Sequence, residues 1–162
     1  MKELLWTIPA LPLLGAFLLI IIGTKLSRNI VAVIGAGTIG LSPLITIVIG
    51  LDFISSSEDS FQQVLWNWIN VGGLNTSFAF HLDALSLVFI FVITFVGFLI
   101  HLYSIEFMAE DEGFSRFFAY LNLFVCSMLI LVLADNLVLM YLGWEGVGLC
   151  SYVLIGFWYE EH

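Results

Sequence analysis

Asn136-Leu-Val-Leu-Met-Tyr141-Leu-Gly-Trp-Glu145-Gly-Val-Gly148-Leu-Cys-Ser-Tyr152-Val-Leu-Ile-Gly-Phe-Trp158 is long and apolar enough to cross a bilayer as a helix. At a rise of about 1.5 Å per residue from Asn136, Glu145 lies roughly 14 Å deep, near the midplane. A charged carboxylate there costs on the order of 3 kcal/mol even on the mildest scale. Such a group is therefore protonated, paired, or beside water. Each of those states suits a site that handles protons.

Composition supports a membrane setting for the whole chain. Its 162 residues are 61% hydrophobic and only 10% charged, and the mean hydropathy is +1.10. No soluble domain of this length has that balance. Four Lys+Arg against 13 Asp+Glu give a formal charge of -9. That leaves no basic patch for nucleic acid and no polybasic membrane-surface anchor.

The expected fold is an all-α membrane protein, a single membrane domain over 1–162, with five transmembrane helices and one extramembrane β-hairpin. The first span runs from about Leu4 to Gly23. It is too long for a signal peptide, has no cleavage site after it, and its positive charges follow it. The second runs from about Ile30 to Phe53 and contains Gly35-Ala-Gly37-Thr-Ile-Gly40, a match to the dinucleotide-binding fingerprint. A true fingerprint opens a helix with one solvated face. Here the following residues are apolar all round and include Pro43. The glycines are better read as sites of close helix–helix approach in lipid.

Residues 54–80 form the one long polar connection. Ser55-Ser-Ser-Glu-Asp-Ser60 reads as a solvated loop. Val64 to Val71 and Leu74 to Phe80, around Gly72-Gly73, read as a β-hairpin. Trp66 and Trp68 suit the membrane interface, or a packing cap over the helix ends. The third span runs from about Leu82 to Tyr103, with His81, Asp83 and His101 marking its ends. A histidine at a helix end is read as solvated or hydrogen-bonded rather than as a ligand. Glu106, Glu110, Asp111 and Glu112 form a solvated acidic loop or a contact with a soluble partner. The fourth span runs from about Phe117 to Ala134, with Asn122 and Ser127 as its polar interior residues. Asp135-Asn136 turns the chain into the fifth span, about 136–158.

Lys25, Arg28 and Arg116 fall in the first and third connections. The positive-inside bias puts those connections in the cytoplasm, and the N-terminus and the 54–80 loop in the periplasm. Cys126 and Cys150 lie unequally far from the Asp135 turn, at depths about 9 Å apart. That spacing predicts two buried thiols and no disulfide. No Cys/His spacing matches a zinc, haem or iron–sulfur site.

On the fifth span Tyr141, Glu145, Gly148 and Tyr152 share a stripe. Two hydroxyls and a carboxylate flank a gap that a water or partner side chain can fill. Two readings stand: a proton relay at Glu145, with Tyr141 and Tyr152 as neighbours, or a helix–helix pin that never ionises.

Met140-Tyr-Leu-Gly-Trp-Glu145-Gly-Val-Gly-Leu-Cys-Ser-Tyr-Val-Leu-Ile-Gly-Phe-Trp158 resembles the subunit L family of bacterial NADH-quinone oxidoreductase, respiratory complex I, equivalent to mitochondrial subunit 5. His81-Leu-Asp-Ala-Leu-Ser86, Gly97-Phe-Leu-Ile-His101, Ser115-Arg-Phe-Phe-Ala-Tyr120 and Leu131-Val-Leu-Ala-Asp-Asn136 resemble it too. The likeness covers essentially the whole chain. It implies an antiporter-like subunit of the membrane arm, in the cell inner membrane. Such a subunit relays protons, driven by quinone reduction elsewhere, as a non-redox part of a translocase. Glu145 matches the family's key carboxylate. The resemblance implies no cofactor in this chain. NADH, flavin, iron–sulfur clusters and quinone belong to partner subunits. The implied partners are other complex I membrane-arm subunits, the lipid bilayer and protons, with no nucleic acid.

In related cation/proton antiporter subunits of the Mrp type, the residues around the Trp-Glu pair read more like Phe-Trp-Glu-Leu-Thr. Gly143-Trp-Glu-Gly-Val-Gly148 favours the complex I branch. Family members are several times longer and carry lysines that continue from the glutamate. The expectation is therefore a fragment, a truncated frame or one piece of a split gene. The alternatives are an Mrp-type antiporter subunit, or a non-transporting scaffold if the chain ends at residue 162.

Overall fold

The computed structural model describes residues 1–56 and 59–159. Ser57 and Glu58, in the expected polar loop, and the last three residues lie outside them. The helices are α1 (Thr7–Ile22), α2 (Arg28–Ser55), α3 (Ala84–Phe107), α4 (Phe114–Leu133) and α5 (Leu137–Ile155). Strands β1 (Ser60–Val71) and β2 (Leu74–Asp83) lie between α2 and α3. Five helical segments, Lys2–Lys25 and then α2 to α5, are long and apolar enough to cross a membrane. The chain is a multi-pass membrane protein.

One expectation at the third span needs correction. Asp83 marks the start of the helix as its N-cap, with His81 just before it on β2, but the helix runs on to Phe107, so His101 does not mark its end. Asp83 caps α3: its carboxylate accepts the Ser86 backbone N–H at 2.7 Å, and the Ser86 hydroxyl accepts the Asp83 N–H at 2.8 Å. This reciprocal box satisfies donors that the first helical turn leaves open. His101 is fully buried about 9 Å inside the far end of α3.

The hairpin is longer than the sequence indicates. β1 and β2 pair antiparallel from Ser60 opposite Asp83 to Val71 opposite Leu74, with irregularities after Val64 and after Asn67. Gly72 and Gly73 have φ of 59° and 91°. A two-residue turn with both φ positive matches strand twist, and glycine adopts it without strain. The cap over the helix ends comes from Ala79, Phe80 and Leu82, all buried. Trp66 stacks on Phe78 at 4.3 Å and, like Trp68, stays half-exposed.

Small residues and internal hydrogen bonds let the helices pack. Pro12 lacks the N–H that would bond the Ile8 carbonyl, and the Ser42 hydroxyl of α2 donates to that carbonyl instead, at 3.3 Å. In the fingerprint-like segment, a Cβ on Gly35 would meet the Phe118 ring at 2.6 Å, and one on Gly40 the Phe98 ring at 2.8 Å. Those glycines serve helix packing; Gly37 faces open space.

Asn122 ties four helices together. Its Nδ2 lies 2.9 Å from the Phe118 carbonyl, 3.2 Å from that of Gly35 on α2, and 3.3 Å from His101 Nε2 on α3. The Thr38 hydroxyl on α2 donates to its Oδ1 at 3.0 Å. Gly15 of α1 leaves room over this cluster, since a Cβ there would meet Thr38 Oγ1 at 2.4 Å and Asn122 Oδ1 at 2.7 Å. The amide has one tolerable orientation. Turned over, Oδ1 would stand where Nδ2 does, facing two carbonyl oxygens. An Nδ2 facing His101 donates to Nε2, so the imidazole carries its proton on Nδ1. That proton goes to the Gly97 carbonyl at 2.7 Å. Among the described residues no buried side-chain nitrogen or oxygen lacks a partner.

The network yields a stability prediction. Asn122→Ala leaves His101 Nε2 without a donor, and should destabilise the detergent-solubilised protein by about 1–2 kcal/mol. In a double-mutant cycle with His101→Phe, read by unfolding in denaturing detergent, the coupling should be about 1 kcal/mol. Additive effects would show that the two side chains do not act together.

The cap yields a pH prediction. The Ser86 backbone N–H, foremost, holds the Asp83 carboxyl below its usual range. A pKa depressed by folding adds stability at neutral pH that is lost as pH falls through the folded value. Asp83→Ala should cost about 1 kcal/mol at pH 7, and Asp83→Asn much less. The wild-type advantage over Asp83→Asn should shrink below about pH 4. Unfolding midpoints across pH check both.

Candidate functional site

α5 begins at a doubly bonded cap. Asn136 Oδ1 accepts the Leu139 backbone N–H at 3.0 Å, and Nδ2 donates to the Ser77 carbonyl of β2 at 2.8 Å. The hairpin thus sets the position of the helix that carries Glu145. Beside the cap, the Asp135 carboxylate accepts Gln62 Nε2 at 2.7 Å and lies 3.8 Å from His81 Nδ1.

One face of α5 packs on α4 through Leu139, Gly143, Gly146 and Cys150, spaced at three and four residues as a helical seam requires. A Cβ on Gly143 would strike the Leu131 backbone nitrogen at 2.6 Å, and one on Gly146 the Ser127 hydroxyl at 2.6 Å. The two helices therefore approach almost backbone to backbone. This register also corrects the cysteine spacing. With Gly143 level with Leu131 and Gly146 with Ser127, Cys126 lies level with Val147 or Gly148. Cys126 and Cys150 are then about 3–5 Å apart in depth, because the seam's own register, and not Asp135, sets the pairing. Both are buried free thiols.

The opposite face carries the stripe. Tyr141, Glu145, Gly148 and Tyr152 are all exposed on the five-helix bundle. Tyr141 lies one turn before Glu145 on the same helix, near enough for its hydroxyl and the carboxylate to interact. Tyr152 lies two turns from Glu145 and instead lines a groove with Arg116 and Tyr120. No atom comes within 4 Å of a Cβ built at Gly148. Among the described residues, Glu145 forms no hydrogen bond or ion pair with a neighbouring helix. The structure therefore brings Tyr141 to Glu145, but not Tyr152.

The buried histidine is what the sequence reading missed. Gly97 and His101 are four apart on α3, with Asn122 on α4 and Thr38 on α2, all polar or small positions inside apolar spans. That spacing was a legible signal for a shared buried face. The end assigned to the span concealed it.

A family model described as NADH-Ubiquinone oxidoreductase (complex I), chain 5 N-terminus, matches residues 68–118. A second, described as NADH:quinone oxidoreductase/Mrp antiporter, TM, matches residues 134–162, which include Glu145. The chain is 54% identical over 151 residues to NADH-quinone oxidoreductase subunit L of Escherichia coli K12, covering 93% of this chain and 25% of that protein. The subunit L of Pseudomonas aeruginosa is 49% identical over 152 residues, with 93% and 25% covered. That of Mycobacterium tuberculosis H37Rv is 45% identical over 161 residues, with 96% and 25% covered. The chain spans about a quarter of the length of these relatives, which are subunits of an enzyme complex. Matched along nearly all its length by these proteins, and over 68–118 by the N-terminal model, the chain belongs to the NADH-quinone oxidoreductase subunit L family and corresponds to the N-terminal part of its members.

Proposed function

We propose that this chain forms the Glu145-bearing part of a membrane-arm subunit in a proton-pumping NADH-quinone oxidoreductase, and that Glu145 takes and releases a proton. The observation that carries the reading is a carboxylate on the open face of a membrane-spanning helix, with Tyr141 beside it and, among the described residues, no bond to another helix. Facing hydrocarbon, that group is costly. The face is therefore best satisfied against further protein or water in the membrane assembly. Tyr141 holds the carboxylate in place, and Tyr152 is a more distant neighbour. The subunit acts without a redox centre of its own, as part of a translocase. NADH, flavin, iron–sulfur clusters and quinone are assigned to partner subunits, and the setting is the cell inner membrane.

The match over residues 134–162 is to a description shared with Mrp antiporters, so it does not separate the two branches. The match over 68–118 and the subunit L relatives favour complex I. An Mrp-type subunit would show sodium-dependent transport without NADH.

Orientation is the first test. Lys25, Arg28 and Arg116 lie at the end away from the hairpin, which favours that end in the cytoplasm. Cysteines placed at exposed Ser27 or Glu110 should escape an impermeant thiol reagent in intact cells, and one at Asn70 on the hairpin should react. The reverse pattern would invert the topology.

Glu145→Gln is the second test. It keeps size and hydrogen bonding but removes the titratable proton. In inverted vesicles, proton uptake per NADH oxidised should fall on the order of tenfold or more at equal complex content on native gels. Glu145→Asp should retain part of it, limited by a carboxylate drawn back one methylene. Wild-type uptake by the Gln variant would make Glu145 a structural pin.

A further inference from the structure

We propose that a cleft at the end of the bundle away from the hairpin, between the α1–α2 connection and the start of α4, binds the phosphate of an anionic phospholipid headgroup. The cleft holds about 540 Å³. Arg28 and Arg116 line it, one from each side, with the Thr24 and Ser115 hydroxyls beside them. Below this polar rim the wall is apolar, formed by Val31 and Phe114, both buried.

The two guanidinium groups are held but not neutralised. Arg28 sits over the Phe114 ring at 6.0 Å, and Arg116 over the Phe157 ring at 4.8 Å. Among the described residues neither forms an ion pair or a hydrogen bond. A guanidinium held beside a ring makes no hydrogen bond to it through its five N–H groups, and those form the fork that matches phosphate oxygens. Nearby Asp111 accepts the Gly113 backbone N–H at 2.6 Å and Trp158 Nε1 at 2.7 Å and forms no ion pair with either arginine, but its charge, like those of Glu106 and Glu110 in the adjoining cleft that Arg116 also lines, opposes an anion. Glu112 does line the cleft, and its carboxylate opposes an anion.

Position decides for a lipid over a free phosphate. The cleft lies where α1 ends and where α2 and α4 begin, at the level of the headgroups. Three of the four basic residues lie at this end, beside the acidic Glu106, Glu110, Asp111 and Glu112, so attraction has to come from the two arginines locally and not from the net charge of the end. A phosphate ion would meet the same donors, whereas a phospholipid is also held at this depth by its acyl chains in the surrounding bilayer. The inference stands apart from the proton reading, because its readout is lipid contact and not pumping.

The test uses the protein in its native assembly, reconstituted into phosphatidylcholine vesicles doped with photoactivatable phosphatidylglycerol. Crosslinks are mapped by mass spectrometry. They should concentrate in peptides covering 23–31 and 112–116. The double variant R28Q/R116Q should lose about tenfold in crosslink yield there. R28K/R116K, which keeps the charge, should retain most of it, and E112Q should increase it. Lys2→Gln, at the other end of the bundle, should change nothing. Equal labelling by photoactivatable phosphatidylcholine, or unchanged yield in R28Q/R116Q, would overturn the proposal. Competition by inorganic phosphate at constant ionic strength would reassign the site to a soluble anion. If R28Q/R116Q fails to assemble, a lack of gain in E112Q overturns it independently.

Discussion

The packing of this bundle turns on Asn122. Inside a bilayer a polar side chain without a partner costs far more than at a surface, so its hydrogen bonds dictate what lies around it. One primary amide serves carbonyls on α2 and α4 and the imidazole on α3, and receives the Thr38 hydroxyl. Only a glycine on α1 can lie over that cluster. Four helices are thereby set in depth and rotation by one side chain. The same rule explains Ser42, which bonds the carbonyl that Pro12 leaves free.

The two ends of the bundle are closed differently. At the hairpin end, β2 inserts Phe80 and Leu82 into the core and caps α5 through the Ser77 carbonyl. The N-terminal ammonium pairs with Asp52 at 3.1 Å, which draws the start of the chain to the end of α2. At the other end, aromatic rings hold two arginines over clefts that carry no ion pair among the described residues. Apolar insertion fixes one end, while the other gathers charges of both signs around its clefts.

α5 joins these arrangements to function. Its glycine seam commits one face to α4, so the residues three and four positions away must point outward. Glu145 is therefore presented on the open side, with Tyr141 at its carboxylate and Gly148 leaving space beside it.

The sequence by itself determined five apolar spans, a Gly-Gly hairpin between the second and third, and a carboxylate at bilayer depth. Each of these is a local property of length, hydropathy or spacing. It also showed that Gly35 and Gly40 are packing positions and not a nucleotide loop, since no solvated face accompanies them. Helix ends were less legible. The capping box at Asp83 starts α3 later than hydropathy indicates, and apolar residues beyond His101 carry it farther. Only the tertiary structure decided that His101 is a buried partner of Asn122, that Tyr141 and not Tyr152 meets Glu145, and how deep the two thiols lie. Those facts depend on the rotation and register of one helix against another. Interhelical contacts at Gly15, Gly143 and Gly146 set them, and no single span encodes them.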